Sequence, residues 1–316
     1  MSIAASLSLV QQYFTRYGMT AYVILGSVGS LFNVVMFSQT QYRRTPCALY
    51  ILAMSISGIW GLNMSAVPSI WALDHPNPVL YNQVACAMFF YFRHTLNQIF
   101  RTFFVLVCAD RYACCSDRPR VRAFSQYRVA IRLIPAVWIF WLLVSILPTL
   151  TRQLYDGVCD ALPGIYDIMY TTYLISVAGI IPLLAMTVFG ILMLQSLRKT
   201  RRRILPTAVT NTVDTGAVVL RKRDRDMMKM LFIELVICTI TLTPNTITRI
   251  YKSVIAEEVV SKERQQIESF IFYLTRIFLL YMANTFSFWV YISTSQTYRQ
   301  ELKTLFIKWY RFLVRC

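Results

Sequence analysis

The sequence predicts an all-α membrane protein: a seven-transmembrane helix bundle with a short amphipathic C-terminal helix. Three observations predict it. Of 316 residues, 56% are apolar and only 15% charged, with a mean hydropathy of +0.50, too apolar for a soluble domain of this length. The apolar residues gather into seven runs, each long enough to cross a bilayer, which takes roughly 17–25 residues. Cations collect after every second run.

The runs, in order, are Met19–Tyr42, Cys47–Leu73, Gln83–Ala113, Ile131–Leu150, Ile165–Leu197, Met227–Ile250 and Ile267–Ser293. Gln41-Tyr42-Arg43-Arg44 follows the first in place of a small-residue cleavage site, so that helix is expected to act as a reverse signal anchor rather than a cleaved leader. Basic residues translocate poorly and stay on the cytoplasmic side. Here they follow runs one, three, five and seven: Arg43 and Arg44, the cluster from Arg111 to Arg132, Arg198 to Arg203 with Arg221 to Lys229, and Arg299 to Arg315. The opposite connections carry Asp74, Asp156, Asp160, Asp167, Glu257, Glu258 and Glu263. The expected topology has the N-terminus extracellular and the C-terminus cytoplasmic, in the plasma membrane. The net charge of +17 then reads as adhesion to anionic membrane lipid, not as nucleic-acid binding.

Three parts are expected: residues 1–18 as a short extracellular tail, 19–294 as the membrane domain, and 295–316 as an amphipathic cytoplasmic helix. Lys199–Arg221 is the one sizeable connection, expected to be irregular around Pro206. From Tyr298 onward, basic and apolar residues alternate at helical spacing, which sets cations toward headgroups and Leu302, Phe306 and Trp309 toward acyl chains. Cys316, after this basic stretch, is either palmitoylated or unmodified. Asn63-Met64-Ser65 matches a glycosylation pattern, but it lies inside the second run and is dismissed. Cys47, Cys108, Cys114, Cys115 and Cys238 read as small packing residues, whereas Cys86 and Cys159 are the two expected outside, in an oxidising compartment.

The third run opens on Cys86 and closes on Asp110-Arg111-Tyr112. The first holds Gly29-Ser-Leu-Phe-Asn33-Val-Val, the fourth Trp138 and, ten residues on, Pro148, the fifth Pro182, the sixth Thr241-Leu242-Thr243-Pro244, and the seventh Asn284-Thr-Phe-Ser287-Phe288-Trp-Val-Tyr291. Together these resemble the rhodopsin-like (class A) G-protein-coupled receptors over nearly the whole chain. Pro46-Cys47-Ala48-Leu49-Tyr50 and the Phe288-x-x-Tyr291 pattern are most similar to invertebrate neuropeptide receptors of the FMRFamide type. The resemblance implies a disulfide between Cys86 and Cys159. It gives structural roles to Asn33, Trp138, Pro148, Pro182 and Pro244, and coupling roles to Asp110, Arg111, Tyr112, Asp224 and Tyr291. This sequence departs from the family pattern at Gly58, where the family has a sodium-binding aspartate, at Gly190 in place of an inward tyrosine, at Leu242 in place of a tryptophan, and at Ser287 and Phe288 in place of Asn-Pro. No allosteric sodium site is therefore expected.

The resemblance makes Arg111 the arginine held by Asp110 when inactive and offered to the G protein when active; as a bare residue it is a snorkelling cation. Asp224, twenty residues before Pro244, either forms an ionic lock with Arg111, worth about 0–1 kcal/mol if hydrated, or pairs with its basic neighbours. Charges inside membrane runs face the bundle or a wet cavity. Arg93, with Asn97 one turn on, stands where amine receptors keep an aspartate. Arg249 and Arg276 project near the same outer half. These residues and Tyr273, with aromatic surface from Phe90 and Trp71, form the expected ligand cavity. Converging guanidinium groups favour an anionic group through paired hydrogen bonds; the alternative is that Arg93 pairs with Asp156 or Glu268 to stabilise the fold. Arg101 and Glu234 have no assigned role, and His94 is expected to pack against a neighbouring helix.

No paired carboxylates within a membrane cavity, no metal-ligand spacing and no glycine-rich phosphate loop are visible, so no enzyme, metal or cofactor is expected. The expected function is a cell-surface receptor for an extracellular ligand of the peptide class, acting on a heterotrimeric G protein. A decoy or scaffold with weak coupling is the alternative; a transporter would show a repeat between halves, and none is visible.

Overall fold

The third apolar run forms the helix around which the other spans pack. The computed structural model describes residues 3–114, 116–155, 158–162, 164–204, 215–254 and 261–315. The first span joins α1 (Ile3–Tyr13), a π-turn (Phe14–Met19) and α2 (Thr20–Phe37). The helix thus starts well before Met19, and most of the stretch expected as a tail is helical. The second span is α3 (Pro46–Trp71) and the third is α4 (Gln83–Cys114). After a short α5 (Pro119–Arg122), α6 (Tyr127–Val144) and α7 (Ile146–Leu150) make the fourth.

A hairpin of β1 (Arg152–Tyr155) and β2 (Val158–Ala161) follows, antiparallel with Leu154 opposite Cys159. Gly164, at φ 85°, then turns the chain into α8 (Ile165–Ile175), a left-handed conformation that a side chain resists. The fifth span continues through a π-turn (Ser176–Ile180) into α9 (Ile181–Ile204), and the sixth is α10 (Thr215–Val254). The seventh joins α11 (Lys262–Tyr273), a π-turn (Leu274–Phe278) and α12 (Leu279–Thr294). Finally α13 (Gln296–Arg315) leaves the bundle after Ser295. The connection expected at Lys199–Arg221 is shortened from both sides by helix, to Ile204 and from Thr215; Pro206 lies outside the described residues.

Among the described residues, six helices are long and apolar enough to cross a membrane. The seventh, α4, is long enough at 32 residues, about 48 Å at 1.5 Å per residue, but Arg93, His94, Asn97, Gln98 and Arg101 dilute its apolar character. Its neighbours cover that polarity: Thr95 and Gln98 are 1% exposed, and Arg101 8%. The helix least suited to lipid is thus the one surrounded by protein. Its other inward residues, Ile99, Phe103 and Phe104, pack with Ile51 and Met54 of α3 in the main core. Lipid provides no hydrophobic drive between helices, so close packing carries their association.

Two departures from the family pattern become packing facts. A side chain at Gly190 would overlap Leu235, which occupies the space of the missing tyrosine and brings α9 close to α10. Gly58 faces the ring of Phe100, an apolar neighbour with nothing to offer a cation. Asn33 is buried and accepts a hydrogen bond from Tyr298 Oη at 2.7 Å, tying the first span to α13. Leu302 packs into the main core at 7% exposure rather than facing lipid as expected, because α13 lies against the bundle on that side. Phe306 is 46% exposed and touches Phe32 edge-on at 5.7 Å; the Trp309 side chain and Cys316 lie outside the described residues. Trp138 is only partly buried. Trp141 is the inward indole of the fourth span, donating to Thr102 Oγ1 at 2.8 Å. Pro148 is buried in α7.

Candidate functional site

At the end of the bundle that carries Cys86 a cavity of about 820 Å³ opens among the third, fifth, sixth and seventh spans. Its cover is the hairpin. Cys159 of β2 is bonded to Cys86 at the start of α4, with Cα atoms 5.7 Å apart. Gln83 secures the hairpin a second time, donating through Nε2 to Arg152 O at 2.8 Å and accepting from Leu154 N at 2.7 Å.

All five residues expected at a ligand site line this cavity: Arg93, Asn97, Arg249, Tyr273 and Arg276. Asn97 lies one turn below Arg93 and donates to its carbonyl at 2.7 Å. The Arg93 guanidinium stands 6.0 Å from the Tyr281 ring centre, and that of Arg276 stands 5.6 Å from the ring of Phe272. Tyr273 Oη is 2.7 Å from Thr15 Oγ1, linking the seventh span to the first. Glu268, one of the acids considered as a partner for Arg93, is instead engaged by Arg264 and by Tyr251 Oη; Asp156 lies outside the described residues. Phe90 lines the cavity. Trp71 is 56% exposed and stacked on His75, away from the cavity wall.

The sequence reading missed three further cations in the wall: Arg101, Arg152 and Lys252. With them, six cations face two carboxylates, Asp160 and Asp167. Arg152 is held by Asp160 at 2.9 Å and sandwiched between the rings of Phe90 and Tyr170, 4.3 Å from each centre. His94 packs as expected, with Nε2 2.9 Å from Tyr173 Oη and its ring stacked on Phe90. Arg101 lies deeper, and Pro182 explains its place. A proline has no N–H for the carbonyl four residues back, which here is Ala178 O, in the π-turn. Arg101 Nη1 donates to that freed carbonyl at 2.6 Å.

At the opposite end of α4, Arg111 folds back on its own neighbour. Nη2 and Nε donate to Asp110 Oδ2 at 2.7 and 3.1 Å, and Ser125 Oγ donates to Asp110 Oδ1 at 2.7 Å. Asp110 is fully buried and Arg111 3% exposed, while Tyr112 is partly exposed. The Asp224 side chain lies outside the described residues. Two residues on, Asp226 is buried and accepts from Thr297 Oγ1 at 2.8 Å, tying the sixth span to α13.

Between the two ends, Glu234 of α10 is 1% exposed. Its carboxyl accepts from Ser287 Oγ and from Tyr291 Oη, the latter at 2.5 Å. Ser287 stands where the family has asparagine, and Glu234 supplies the polar partner that Tyr291 needs in its absence. Pro244 sits inside α10, eight residues before Lys252.

A family model for the 7 transmembrane receptor (rhodopsin family) matches residues 29–291. The chain belongs to that family. It is similar to neuromedin-U receptor 2 of Mus musculus, 24% identical over 251 residues that cover 74% of this chain and 61% of the relative. Its likeness to neuromedin-U receptor 2 of Homo sapiens is also 24%, over 249 residues, 74% of this chain and 58% of the relative. The match thus spans about three fifths of the length of these relatives. Membership makes the protein a multi-pass membrane receptor and places it outside the enzyme classes. The Cys86–Cys159 bond, the Asp110–Arg111 pair and the buried Tyr291 are this receptor's versions of the family's fixed points.

Proposed function

We propose that this receptor binds an extracellular peptide in the cavity lined by Arg93, Asn97, Arg249, Tyr273 and Arg276, and transmits its occupancy to a heterotrimeric G protein at the Asp110-Arg111-Tyr112 end. The orientation follows from the alternation of cations in the sequence: the Cys86 end outside, the Arg111 end and α13 in the cytoplasm. One observation carries the reading. The cavity at the disulfide end is rich in cations and aromatic rings, and the arginine at the other end is buried and bonded twice to Asp110.

A cavity of about 820 Å³ falls in the range of small-molecule and peptide-terminus sites. With Arg93 facing it in place of an acid, a monoamine is repelled and an anionic or carbonyl-rich ligand is attracted. The relatives are named as receptors for neuromedin-U, which supports a ligand of the same kind. At the other end, Arg111 is released only if the bundle shifts between two arrangements, and a ligand drives that shift by binding one better than the other. Arg299, Lys303 and Arg311 of α13 border a surface groove with Leu302 and Phe306; they lie against anionic lipid of the inner leaflet.

The test is a peptide library applied to cells that express the chain with a promiscuous G protein. A saturable response to a peptide is expected. Surface binding of a peptide with no response from any G protein would make the chain a decoy, and potent direct activation by a monoamine would overturn the ligand class.

A further inference from the structure

The floor of the cavity holds three buried polar side chains with bonding capacity to spare. Gln98 is 1% exposed, and neither its Oε1 nor its Nε2 has a hydrogen-bond partner. Asn245, 5% exposed, leaves its Oδ1 unpartnered. Arg101, one turn from Gln98 on α4, is 8% exposed; its hydrogen bond runs from Nη1 to Ala178 O, and among the described residues no carboxylate pairs with it. All three line the same cavity. A buried polar group left unmatched costs roughly 1–3 kcal/mol, and an unpaired cation in a membrane bundle costs more. Such a group persists where something outside the chain completes it.

We propose that Arg101 and Gln98 form an anion subsite at the bottom of the ligand cavity, with Asn245 at its edge. The occupant class is a carboxylate or a small inorganic anion. The remaining N–H groups of Arg101 form a planar fork that matches two oxygens of a carboxylate, and Gln98 Nε2 adds a donor on the same helix face. Cations higher in the wall, Arg93 and Arg249, draw an anion inward through low-dielectric walls. The Gln98 and Asn245 oxygens accept rather than donate, and they suit a backbone N–H beside the carboxylate. A ligand that presents an acidic side chain or a free C-terminal carboxylate supplies both. The subsite deepens the ligand reading above, since it lies in the same cavity, but it requires no coupling.

The test uses the full chain in lipid nanodiscs and follows its thermal unfolding temperature during titration at constant ionic strength. The probes are N-acetyl-aspartate, its uncharged analogue N-acetyl-asparagine, and chloride, against a bulky sulfonate as the balancing salt. Saturable protection by N-acetyl-aspartate and not by the amide is expected. Arg101→Gln should raise the half-saturating concentration by about tenfold to a hundredfold. Arg101→Lys should fall between, because an ammonium lacks the fork, and Lys303→Gln on α13, outside the cavity, should change it less than threefold. Protection by chloride with competition between chloride and N-acetyl-aspartate would assign the same subsite to a free inorganic anion. Equal protection by the amide, no saturable protection of the wild-type chain, or an unchanged midpoint in Arg101→Lys and Gln98→Leu would overturn the proposal, even if Arg101→Gln does not fold. A chain that binds anions through Arg101 but answers no peptide leaves the subsite standing and removes only the peptide reading.

Discussion

Arg93 and Arg111 stand on one helix, eighteen residues apart, about 27 Å along its axis, and meet opposite surroundings. Arg111 is almost fully buried, bonded twice to Asp110, which is bonded in turn to Ser125. Arg93 faces a cavity where cations outnumber carboxylates three to one, and its guanidinium stands 6.0 Å from the centre of the Tyr281 ring. Arg249 shares that cavity and has no acid partner among the described residues. The same residue type is bonded to a carboxylate at one end and faces an open cavity at the other. A bundle with both can couple them, because α4 runs from one to the other and α10 carries Arg249 at the cavity and Asp226 toward the opposite end.

The largest break in this contrast is Arg111→Ala. Under the proposed function it removes the group that leaves its partner to meet a G protein, so agonist-driven coupling should vanish. Affinity measured by labelled-peptide binding should stay within about tenfold, because the cavity lies at the other end of the helix. Normal signalling by this variant would remove the functional contrast entirely.

Next comes the lid. Cys86→Ser or Cys159→Ser frees a hairpin whose disulfide closes a separation of 73 residues, at a cost of about 2–4 kcal/mol. Gln83 still holds the hairpin by two hydrogen bonds, so the cavity should lose ligand binding before the bundle loses its fold. Surface labelling combined with ligand binding separates the two. The double variant should be no worse than either single one, and thiol mapping that finds both cysteines free in surface protein would contradict the pairing.

A sharper test of the open end is Arg93→Ala. Loss of a charge-assisted contact costs about 1.5–3 kcal/mol, one to two decades of peptide affinity. Arg93→Lys should recover only part of it. Unchanged potency with normal surface expression would give Arg93 a structural role and leave ligand capture to Arg249 and Arg276.

How far the sequence revealed each region differs for a physical reason. The spans were legible because each apolar run must be long enough to satisfy its own backbone in lipid, and the cavity's Arg93, Arg249 and Arg276 because a charge at membrane depth has to face inward. The third span fails a test of apolarity, yet Cys86 and Asp110-Arg111-Tyr112 mark its ends. Contacts between distant segments were harder to see. Glu234 had no role until Ser287 and Tyr291 met it from the seventh span, and Asp226 none until Thr297 reached it. Arg101 was opaque for the same reason, although one signal existed: Pro182 had to leave a carbonyl free at Ala178. Leu302 was placed toward lipid because periodicity shows which residues share a face and not what covers that face.

The smallest expected effect lies where the two ends join, at Glu234. Its carboxyl is the acceptor for Ser287 and Tyr291, a clamp from the sixth span to the seventh at the level where the family has asparagine. Glu234→Gln keeps one acceptor oxygen and the side-chain volume, so one of the two hydroxyls loses its partner or accepts a weaker one. A hydrogen bond of this kind contributes about 0.5–1.5 kcal/mol, so losing one is enough to shift a two-state balance by about fivefold. Agonist-free second-messenger levels should therefore rise by roughly that factor, with peptide affinity rising in parallel if the arrangement released is the one that the ligand prefers. Tyr291→Phe removes the longer arm of the same clamp and should act in the same direction, and the double variant should be less than additive because both changes remove one shared contact. Additive effects, or basal signalling that does not move in either variant, would mean that the sixth and seventh spans are held together by packing around Phe288 and Leu235, and that the closed end of the molecule owes its state to Asp110 and Arg111 alone.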